Sequence, residues 1–453
     1  MKKTKILCTI GPASMSKKTM QQMLKAGMNG IRINTSHGTF DQYNKIIKNI
    51  RELDNIPIII DTNGPEVRIN CKSELLVNTG DKIEIGFNNK STAWFDYDFY
   101  KKIKPGMLIM INDGLLQLKL VKKRNKALVL EALTAGLLQN RKGVNLPNLN
   151  LGLPILTKKD EEVIKFSNKM DVDFIALSFT RTPQDVKLVR RKLNNDIGII
   201  AKIENSQGIE NFDSLLPIVE GIMVARGDLG VEIPSQKIPI IQKDIVKRCN
   251  QQSKLVIIAT QMLESMITNP LPTRAETSDV ANAILDGADT IMLSGETTIG
   301  RYPVNSVTEM SKIALDVENN VKSNVKEQGN IGVSEAISST IFQLCRLLPI
   351  SKVVTITRSG YTARMISRFR LRQSIIAVTK NRKVRNRLQL YFGVEPVCFS
   401  STVKSDKIVS SARFLHNKGL VKKDELVLFS SGAYSAKKTT NLLGVHKISD
   451  ILS

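Results

Sequence analysis

Cysteines are few in this sequence, and long apolar runs are absent from it. The five cysteines among 453 residues lie far apart, with no CxxC pair. Their odd number and spacing argue against a disulfide framework and predict reduced thiols, as in a cytoplasmic protein. No stretch approaches the ~20 apolar residues of a membrane-spanning helix, so no membrane association is expected. The N-terminal lysines precede an apolar run that is too short for a signal peptide and predicts a first strand.

Aromatic residues are also scarce, at 5%, and Trp94 is the only tryptophan. The net charge of +24 suggests a nucleic-acid binder, but the basic residues are dispersed and lack the aromatic interleaving on which bases stack. We interpret the charge as solubility and as steering of small anionic substrates, with non-specific polyanion binding as a side effect. No specific nucleic-acid partner is expected. Three distant histidines provide no zinc set, and neither a Walker A sequence nor GxGxxG is present.

Eight short apolar runs rich in β-branched residues alternate with helical patterns. Continuous apolar strands between helices indicate a parallel sheet that is covered on its outer face, and eight such units close a (β/α)8 TIM barrel. Helix starts are signalled by Thr182 before Pro183 and by Thr157 three residues before Asp160. The eight runs are KILCTI, GIRIN, PIIIDT, FIALSF, IIAKIE, GIMVAR, LVIIAT and TIMLSG.

Two segments interrupt or follow this α/β barrel pattern. Residues 67–146 read as short alternating strands with Gly, Asn and Asp turns, which predicts an inserted small β-barrel domain positioned to act as a lid. After a helical stretch from Pro303 to about Lys326, four further strands alternate with helices in a C-terminal open-sheet α/β domain. The predicted domains are residues 1–66 and 147–326 for the barrel, 67–146 for the insertion, and 327–453 for the last domain.

Charged residues end two neighbouring strands. Lys202 and Glu204 are two residues apart, so on a strand they point to the same side, and Asp228 ends the next strand. Parallel strands would bring the three charges together at one end of the sheet. Taken singly, each charge is more simply an ordinary solvated strand end; together they favour a site.

Polar residues also end the other predicted strands, where a barrel carries its catalytic groups. Their types suggest phosphoryl transfer, since arginines fork onto phosphate oxygens and Glu204 with Asp228 makes a sparse site for Mg²⁺. A second cluster of side-chain oxygens has two interpretations of equal weight: ligands of a monovalent cation, or side chains that cap turns. This cluster consists of Asn34, Ser36, Asp61 and Thr62. The remaining strand-end residues are Arg32, Ser178, Arg181, Thr260, Ser294 and Glu296.

Long motifs in these positions closely resemble the pyruvate kinase family, in family order and over essentially the whole chain. They are TKILCTIGPAS, RINTSHG, DTNGPEVR, KGVNLP, IIAKIENSQGIENFD, GIMVARGDLGVEIP, IIATQMLESMI and PTRAETSDVANAILDGADTIMLSGET. The resemblance implies phosphoryl transfer from phosphoenolpyruvate to ADP, giving pyruvate and ATP in the last step of glycolysis. It also implies Mg²⁺ (or Mn²⁺) and K⁺ as cofactors, and a homotetramer.

The resemblance also implies individual roles. Glu204 and Asp228 match the divalent-metal ligands, Lys202 the residue that stabilises the transition state, and Thr260 a candidate in the proton relay. Glu66 matches the K⁺-dependent form of the family. The implied substrate contacts are Arg32, Lys202, Gly227, Asp228 and Thr260; the K⁺ ligands are Asn34, Ser36, Asp61 and Thr62; the nucleotide contacts are Asn34, His37, Arg68 and Lys142.

The sequence departs from the family pattern at a few positions. Asn63 stands where Lys is usual, and Thr35 where Phe is usual. A segment from Thr357 resembles the phosphate-gripping part of an allosteric effector site. A later loop has Lys437 and Lys438 but not the family's usual residues, so the resemblance implies a sugar-phosphate effector whose identity is open. Two alternatives are weighed: a phosphoenolpyruvate-using dikinase or mutase, for which no phosphate-carrying His segment is visible, and a catalytically impaired homologue acting as a basic polyanion-binding scaffold.

Overall fold

The computed structural model describes residues 2–147, 149–323, 325, 332–399, 407–432 and 441–452. The chain begins with three parallel strands and two helices. Thr39 opens the second helix with a capping box, its hydroxyl accepting from the amide of Gln42. These elements are β1 (Lys5–Thr9), α1 (Lys17–Ala26), β2 (Gly30–Asn34), α2 (Phe40–Leu53) and β3 (Ile58–Asp61).

Nine strands then form an antiparallel, barrel-like unit, as the turn-rich sequence predicts. Seven of them make one sheet, whose two edge strands approach each other through a bridge between Gly86 and Trp94, and the other two form a ribbon. The strands are β4 (Val67–Cys71), β5 (Leu75–Val77), β6 (Lys82–Ile85), β7 (Ala93–Phe95), β8 (Leu108–Ile111), β9 (Leu116–Arg124), β10 (Ala127–Ala132), β11 (Gly136–Leu138) and β12 (Gly143–Asn145).

Five further parallel strands complete the barrel, with helices between and after them. The predicted caps are present, because Thr157 and Thr182 each form a capping box and Pro183 occupies the first turn. The elements are α3 (Lys158–Lys169), β13 (Phe174–Leu177), α4 (Pro183–Lys192), β14 (Gly198–Ile203), α5 (Ser206–Glu210), α6 (Phe212–Leu215), β15 (Gly221–Ala225), α7 (Arg226–Glu232), α8 (Ile238–Gln251), β16 (Leu255–Ala259), α9 (Arg274–Leu285), β17 (Thr290–Leu293), α10 (Gly295–Thr298) and α11 (Pro303–Val317).

The barrel closes in the order β1-β17-β16-β15-β14-β13-β3-β2, all parallel, which confirms the predicted eight strands. Both faces of these strands are buried. In β14, Ile199 and Ala201 lie in a core shared with the surrounding helices, whereas Ile200 belongs to an inner core with Met223 of β15 and Ile257 of β16. This explains why the strands read as continuous rather than alternating apolar runs.

The C-terminal part is a five-stranded sheet with helices, and its first four strands are those predicted. The edge strand β22 is antiparallel and was missed, since its Gly, His and Lys give it little apolar pattern. The helix after the barrel ends at Val317, short of the predicted Lys326. The elements are α12 (Val333–Leu347), β18 (Lys352–Ile356), α13 (Tyr361–Ser367), β19 (Ser374–Thr379), α14 (Arg382–Leu388), β20 (Val394–Cys398), α15 (Lys407–Asn417), β21 (Leu426–Ser431), β22 (Leu442–Lys447) and α16 (Ile448–Leu452).

All five cysteines are free thiols, and only Cys398 is exposed. Among the described residues, no helix combines the length and apolarity that crossing a membrane would require.

Candidate active site

The mouth of the barrel is lined by residues whose position in each strand turns them inward. Ile200 packs in the barrel interior. Because alternate residues of a strand share a face, the side chains of Lys202 and Glu204 point to the same side as that of Ile200. The same alternation carries Asp61 inward after Ile59 in β3. The carboxyl ends of these parallel strands therefore bring charged side chains to one edge of the barrel.

Lys202 lies at the centre of this group and is buried. Its Nζ is 2.7 Å from Glu204 Oε1, 3.2 Å from Asp61 Oδ2 and 2.9 Å from the hydroxyl of Ser178. Burial alone would lower the pKa of Lys202, but the carboxylates of Glu204 and Asp61 raise it above its ordinary value. The ammonium is thus held charged at a fixed position in the mouth.

Arg32 provides a second buried cation beside the same carboxylate. Its Nη2 is 2.5 Å from Asp61 Oδ2, and its Nη1 donates to the hydroxyl of Thr9 at 3.1 Å. Burial would raise the pKa of Asp61, but Arg32 and Lys202 together hold it below its ordinary value. The other oxygen of this carboxylate, Oδ1, is buried and has no hydrogen-bond partner among the described residues.

Glu204 is buried at the end of β14, and Asp228 lies in the first turn of α7. The amide of Phe179 donates to Glu204 Oε2 at 2.7 Å. Burial raises the pKa of Glu204 to about 7; Lys202 opposes this shift, and the nearby charge of Asp228 adds to it. Two carboxylates that repel each other in this way offer hard oxygen ligands to a divalent cation.

Thr260 follows β16 in an unusual backbone conformation, with φ of +67°. Its hydroxyl accepts from the amide of Gly227 at 2.8 Å and donates to the carbonyl of Ala259 at 2.6 Å. Arg226 Nη2 donates to the carbonyl of Thr260 at 2.6 Å, and Arg226 Nη1 is paired with Asp279 at 2.7 Å. A strained residue fixed from several sides is typical of a functional site.

The loops after β2 and β3 contact each other. The hydroxyl of Thr35 donates to the carbonyl of Asp61 at 2.6 Å and lies 3.1 Å from Asn63 Oδ1, to which the hydroxyl of Ser36 also donates at 3.1 Å. The amide of Ser36 donates to Asn34 Oδ1 at 3.1 Å. The two positions at which the sequence departs from the resembled family, 35 and 63, are therefore neighbours.

Thr62 joins the same group of strand ends. Its hydroxyl accepts from the amide of Ser178 at 3.0 Å, and its carbonyl accepts from the Ser178 hydroxyl at 2.7 Å. The polar cluster of Asn34, Ser36, Asp61 and Thr62 is thus linked to Lys202 in two ways. Its member Asp61 contacts Lys202 directly, and Ser178 contacts both Thr62 and Lys202.

Among the described residues, three of those predicted make no hydrogen bond or ion pair with the charged groups around Lys202. Arg68 belongs to β4, is paired with Glu66 and donates to the carbonyl of Arg141 at 2.8 Å. His37 is exposed, and its carbonyl accepts from the hydroxyl of Tyr43. Lys142 is half-buried just before β12.

Two family models match the sequence. The one described as "Pyruvate kinase, barrel domain" matches residues 1–307, and the one described as "Pyruvate kinase, alpha/beta domain" matches residues 335–446. The chain belongs to the pyruvate kinase family. Curated pyruvate kinases are similar along the whole chain. The enzyme of Bacillus licheniformis is 41% identical over 480 residues, covering 100% of this chain and 82% of its own length. That of Clostridium acetobutylicum is 40% identical over 473 residues, covering 99% and 100% respectively.

This membership confirms the resemblance inferred from the motifs, and nothing in the comparisons favours the alternative of an impaired polyanion-binding scaffold. Sequence reasoning missed three contributors. Arg226 lies in a motif that was noticed but received no role, Phe179 acts through its backbone, and Asp160 looked only like a helix cap. Backbone donors and contacts between distant loops leave no signal in residue type or spacing. The predicted Lys437 and Lys438 lie outside the described residues.

Proposed function

We propose that this chain transfers the phosphoryl group of phosphoenolpyruvate to ADP, giving pyruvate and ATP, as its relatives' name implies. The observation that carries the proposal is the position of Lys202. Its ammonium is buried at the carboxyl end of the barrel beside Glu204 and Asp61, and Arg32 contacts the same oxygen of Asp61, Oδ2. Such a fixed positive group stabilises charge that develops on a transferring phosphoryl group.

Substrate recognition follows from groups already held in place. Arg32 is oriented by Asp61 and Thr9, which leaves further N–H donors of its guanidinium for phosphate or carboxylate oxygens. Gly227 donates its amide to the hydroxyl of Thr260, and Asp228 follows it in the first turn of α7. We assign these residues and Lys202 to phosphoenolpyruvate binding.

A divalent cation fits the two carboxylates. Glu204 is buried, and its pKa is raised partly by Asp228, so a cation between them would relieve the repulsion that the free protein carries. We propose Glu204 and Asp228 as ligands of Mg²⁺ or Mn²⁺, with water and substrate oxygens completing the set. When bound, the ion would offset negative charge on the phosphoryl oxygens and on the departing enolate oxygen.

A monovalent cation fits the second cluster. The buried Oδ1 of Asp61 has no protein partner among the described residues, and neutral oxygens of Asn34, Ser36 and Thr62 are grouped around the same loops. We propose K⁺ at this position. Glu66, paired with Arg68, supports a K⁺-dependent enzyme through the resemblance stated above.

The chemistry then needs no protein nucleophile. A terminal phosphate oxygen of ADP attacks phosphorus, the bond between phosphorus and the enol oxygen breaks, and Lys202 offsets the charge left on that oxygen. The enolate next takes a proton at its methylene carbon and becomes pyruvate. The hydroxyl of Thr260 donates its proton to the carbonyl of Ala259. We propose that this hydroxyl turns to order the water that delivers the proton.

The nucleotide would approach from the rim. We propose Asn34, His37, Arg68 and Lys142 as its contacts, and the unit formed by β4–β12 as a lid. In support, burial raises the pKa of Glu232 in α7, the helix that carries Asp228, and the side chain of Asn145, at the end of β12, opposes that shift.

Several broader expectations stay proposals. We propose domain limits at 1–66, 67–146, 147–326 and 327–453; the nine lid strands fall within the second of these ranges. We also propose a cytoplasmic homotetramer that responds to a sugar-phosphate effector. In support of the effector site, the amide of Gly360 donates to the hydroxyl of Thr357 at 3.0 Å, which shapes a tight turn ahead of α13.

The test is a coupled assay of pyruvate formation from phosphoenolpyruvate and ADP with Mg²⁺. Omitting Mg²⁺, or replacing K⁺ with tetramethylammonium, should each lower the rate strongly. Equal rates with both monovalent cations would refute K⁺ dependence alone. Absence of pyruvate and ATP under all conditions would refute the proposed function, and release of AMP and pyrophosphate would indicate a dikinase instead.

A further inference from the structure

Asn63 contacts the loop that carries two of the proposed K⁺ ligands. Its Oδ1 accepts from the hydroxyl of Ser36 at 3.1 Å and lies 3.1 Å from the hydroxyl of Thr35. We propose that Asn63 is a positioning residue of the monovalent-cation site. Its side-chain oxygen accepts the hydrogen bond of the Ser36 hydroxyl, so that the lone pairs of that hydroxyl point toward the cation. This inference rests on one part of the proposed function, the monovalent-cation site.

The argument begins with what a hydroxyl can do. A serine hydroxyl has one proton and two lone pairs, and it coordinates a cation through a lone pair. The proton must then point to another acceptor, or it competes with the cation. Asn63 Oδ1 is such an acceptor. A lysine at this position has three donors and no acceptor, so it would leave the Ser36 proton without this partner.

The backbone of Asn63 is held firmly enough for this role. Its amide donates to Asp160 Oδ1 at 2.6 Å, and the next amide, of Gly64, donates to Asp160 Oδ2 at 3.2 Å. Asp160 is fully buried. Gly64 has a φ of +73°, and a Cβ there would lie 2.5 Å from the ring of Phe179, so the chain passes through a confined turn. A fixed backbone makes the position of the side-chain oxygen well defined.

Thr35 connects this oxygen to the strand that supplies Asp61. Its hydroxyl is fully buried and shares its single proton between the carbonyl of Asp61, at 2.6 Å, and Asn63 Oδ1. The Thr35 hydroxyl thus bridges both ends of the segment from Asp61 to Asn63. A change at either position 35 or 63 should therefore disturb the cation site without touching the divalent-metal ligands.

Two pairs of variants test the proposal. Asn63→Leu removes the acceptor at similar volume, whereas Asn63→Asp keeps an oxygen acceptor in place. Thr35→Val removes the buried hydroxyl with little change of shape, whereas Thr35→Ser keeps it. The measurement is the midpoint of thermal unfolding of the full chain with Mg²⁺ and phosphoenolpyruvate but no ADP, so that no turnover occurs. K⁺ is titrated against tetramethylammonium at constant ionic strength, and the rise in midpoint gives the K⁺ dissociation constant.

We expect Asn63→Leu to weaken K⁺ binding about 3- to 10-fold, the effect of one lost hydrogen bond, and Asn63→Asp not to weaken it. Thr35→Val should weaken it about 3-fold and Thr35→Ser should match the wild type. The proposal is overturned if Asn63→Leu binds K⁺ like the wild type, or if the Leu and Asp variants are weakened alike, which would mean that Asn63 acts through its amide N–H. If Asn63→Leu does not fold, the comparison of Thr35→Val with Thr35→Ser tests the proposal, and equal K⁺ affinity in these two variants overturns it.

The pyruvate assay separates this proposal from the proposed function. If the wild type forms pyruvate but its unfolding midpoint does not rise with K⁺, it has the activity and lacks the cation site. That result refutes the positioning role of Asn63 and leaves the proposed function intact. A wild type that shows the rise and responds to Asn63→Leu, but forms no pyruvate, keeps the positioning role and loses the proposed function.

Discussion

Arg226 Nη2 donates to the carbonyl of Thr260 at 2.6 Å, and Thr260 has a positive φ. This contact holds a strained residue in the proposed substrate site, so we predict that Arg226→Met lowers kcat about 10- to 100-fold, the cost of misplacing a group near the reacting atoms. Asp279→Asn is the matched control, because it removes only the negative charge of the side chain that orients Arg226 and should have a smaller effect. A folded Arg226→Met variant with a kcat within twofold of the wild type would contradict the prediction. The measurement is steady-state pyruvate formation.

Divalent-metal binding should depend on pH through Glu204. Its pKa is raised from the ordinary 4.5 to about 7, so in the metal-free protein it is largely protonated below pH 7. A metal must displace that proton, so the apparent dissociation constant for Mn²⁺ should rise as pH falls below 7, approaching tenfold per pH unit. Titration followed by electron paramagnetic resonance at pH 6, 7 and 8 measures it. Affinity that stays constant from pH 6 to 8 would be incompatible with this assignment.

The same shift has a consequence for the metal-free fold. The folded pKa of Glu204 lies above the unfolded one, so its contribution to stability is full below about pH 4.5 and is lost as pH rises through about 7. Added Mg²⁺ should therefore stabilise the protein more at pH 8 than at pH 6. Glu204→Gln is the control variant and should remove the pH dependence, and Glu52→Gln, on the surface, should not.

Asp160 should matter more for stability than an ordinary cap. Its carboxylate accepts from the amide and hydroxyl of Thr157 at the start of α3, and also from the amides of Asn63 and Gly64. Loss of the cap costs about 1 kcal/mol, and each buried amide left without a partner about 1–3 kcal/mol. We predict that Asp160→Ala destabilises the protein by about 3–7 kcal/mol.

Asp185 offers a matched comparison. It forms the same kind of capping box with Thr182 at the start of α4, and its other hydrogen bonds among the described residues are to Arg181, four residues away. Asp185→Ala should cost only about 1 kcal/mol. Calorimetric unfolding of the two variants measures the difference, and equal losses would show that the bonds to Asn63 and Gly64 contribute nothing.

Much of the barrel follows from local patterns in the sequence. The barrel strands were predictable because both of their faces are buried, which leaves an unbroken apolar run such as that ending at Lys202. The helix starts were predictable because capping residues act over three positions. The pairing of Lys202 with Glu204 followed from the two-residue period of a strand.

The remainder depends on contacts between residues far apart in the chain. Asp160 reads as a cap of α3, and nothing in the sequence says that the same carboxylate also binds the loop after β3. Phe179 contributes its amide, which any residue has. The strand β22 lies antiparallel at the edge of its sheet, and its residues are half-buried or exposed. It therefore lacks the buried apolar residues by which a strand is recognised in a sequence.

The central claim is that Lys202 stabilises the charge of the transferring phosphoryl group. The most direct measurement is kcat for pyruvate formation by Lys202→Met, compared with Lys312→Met on the surface of α11, where Lys312 is paired with Glu309. We predict that kcat falls about 10²- to 10³-fold or more in Lys202→Met while circular dichroism stays native, and that Lys312→Met matches the wild type. A folded Lys202→Met enzyme that turns over at the wild-type rate would contradict the account.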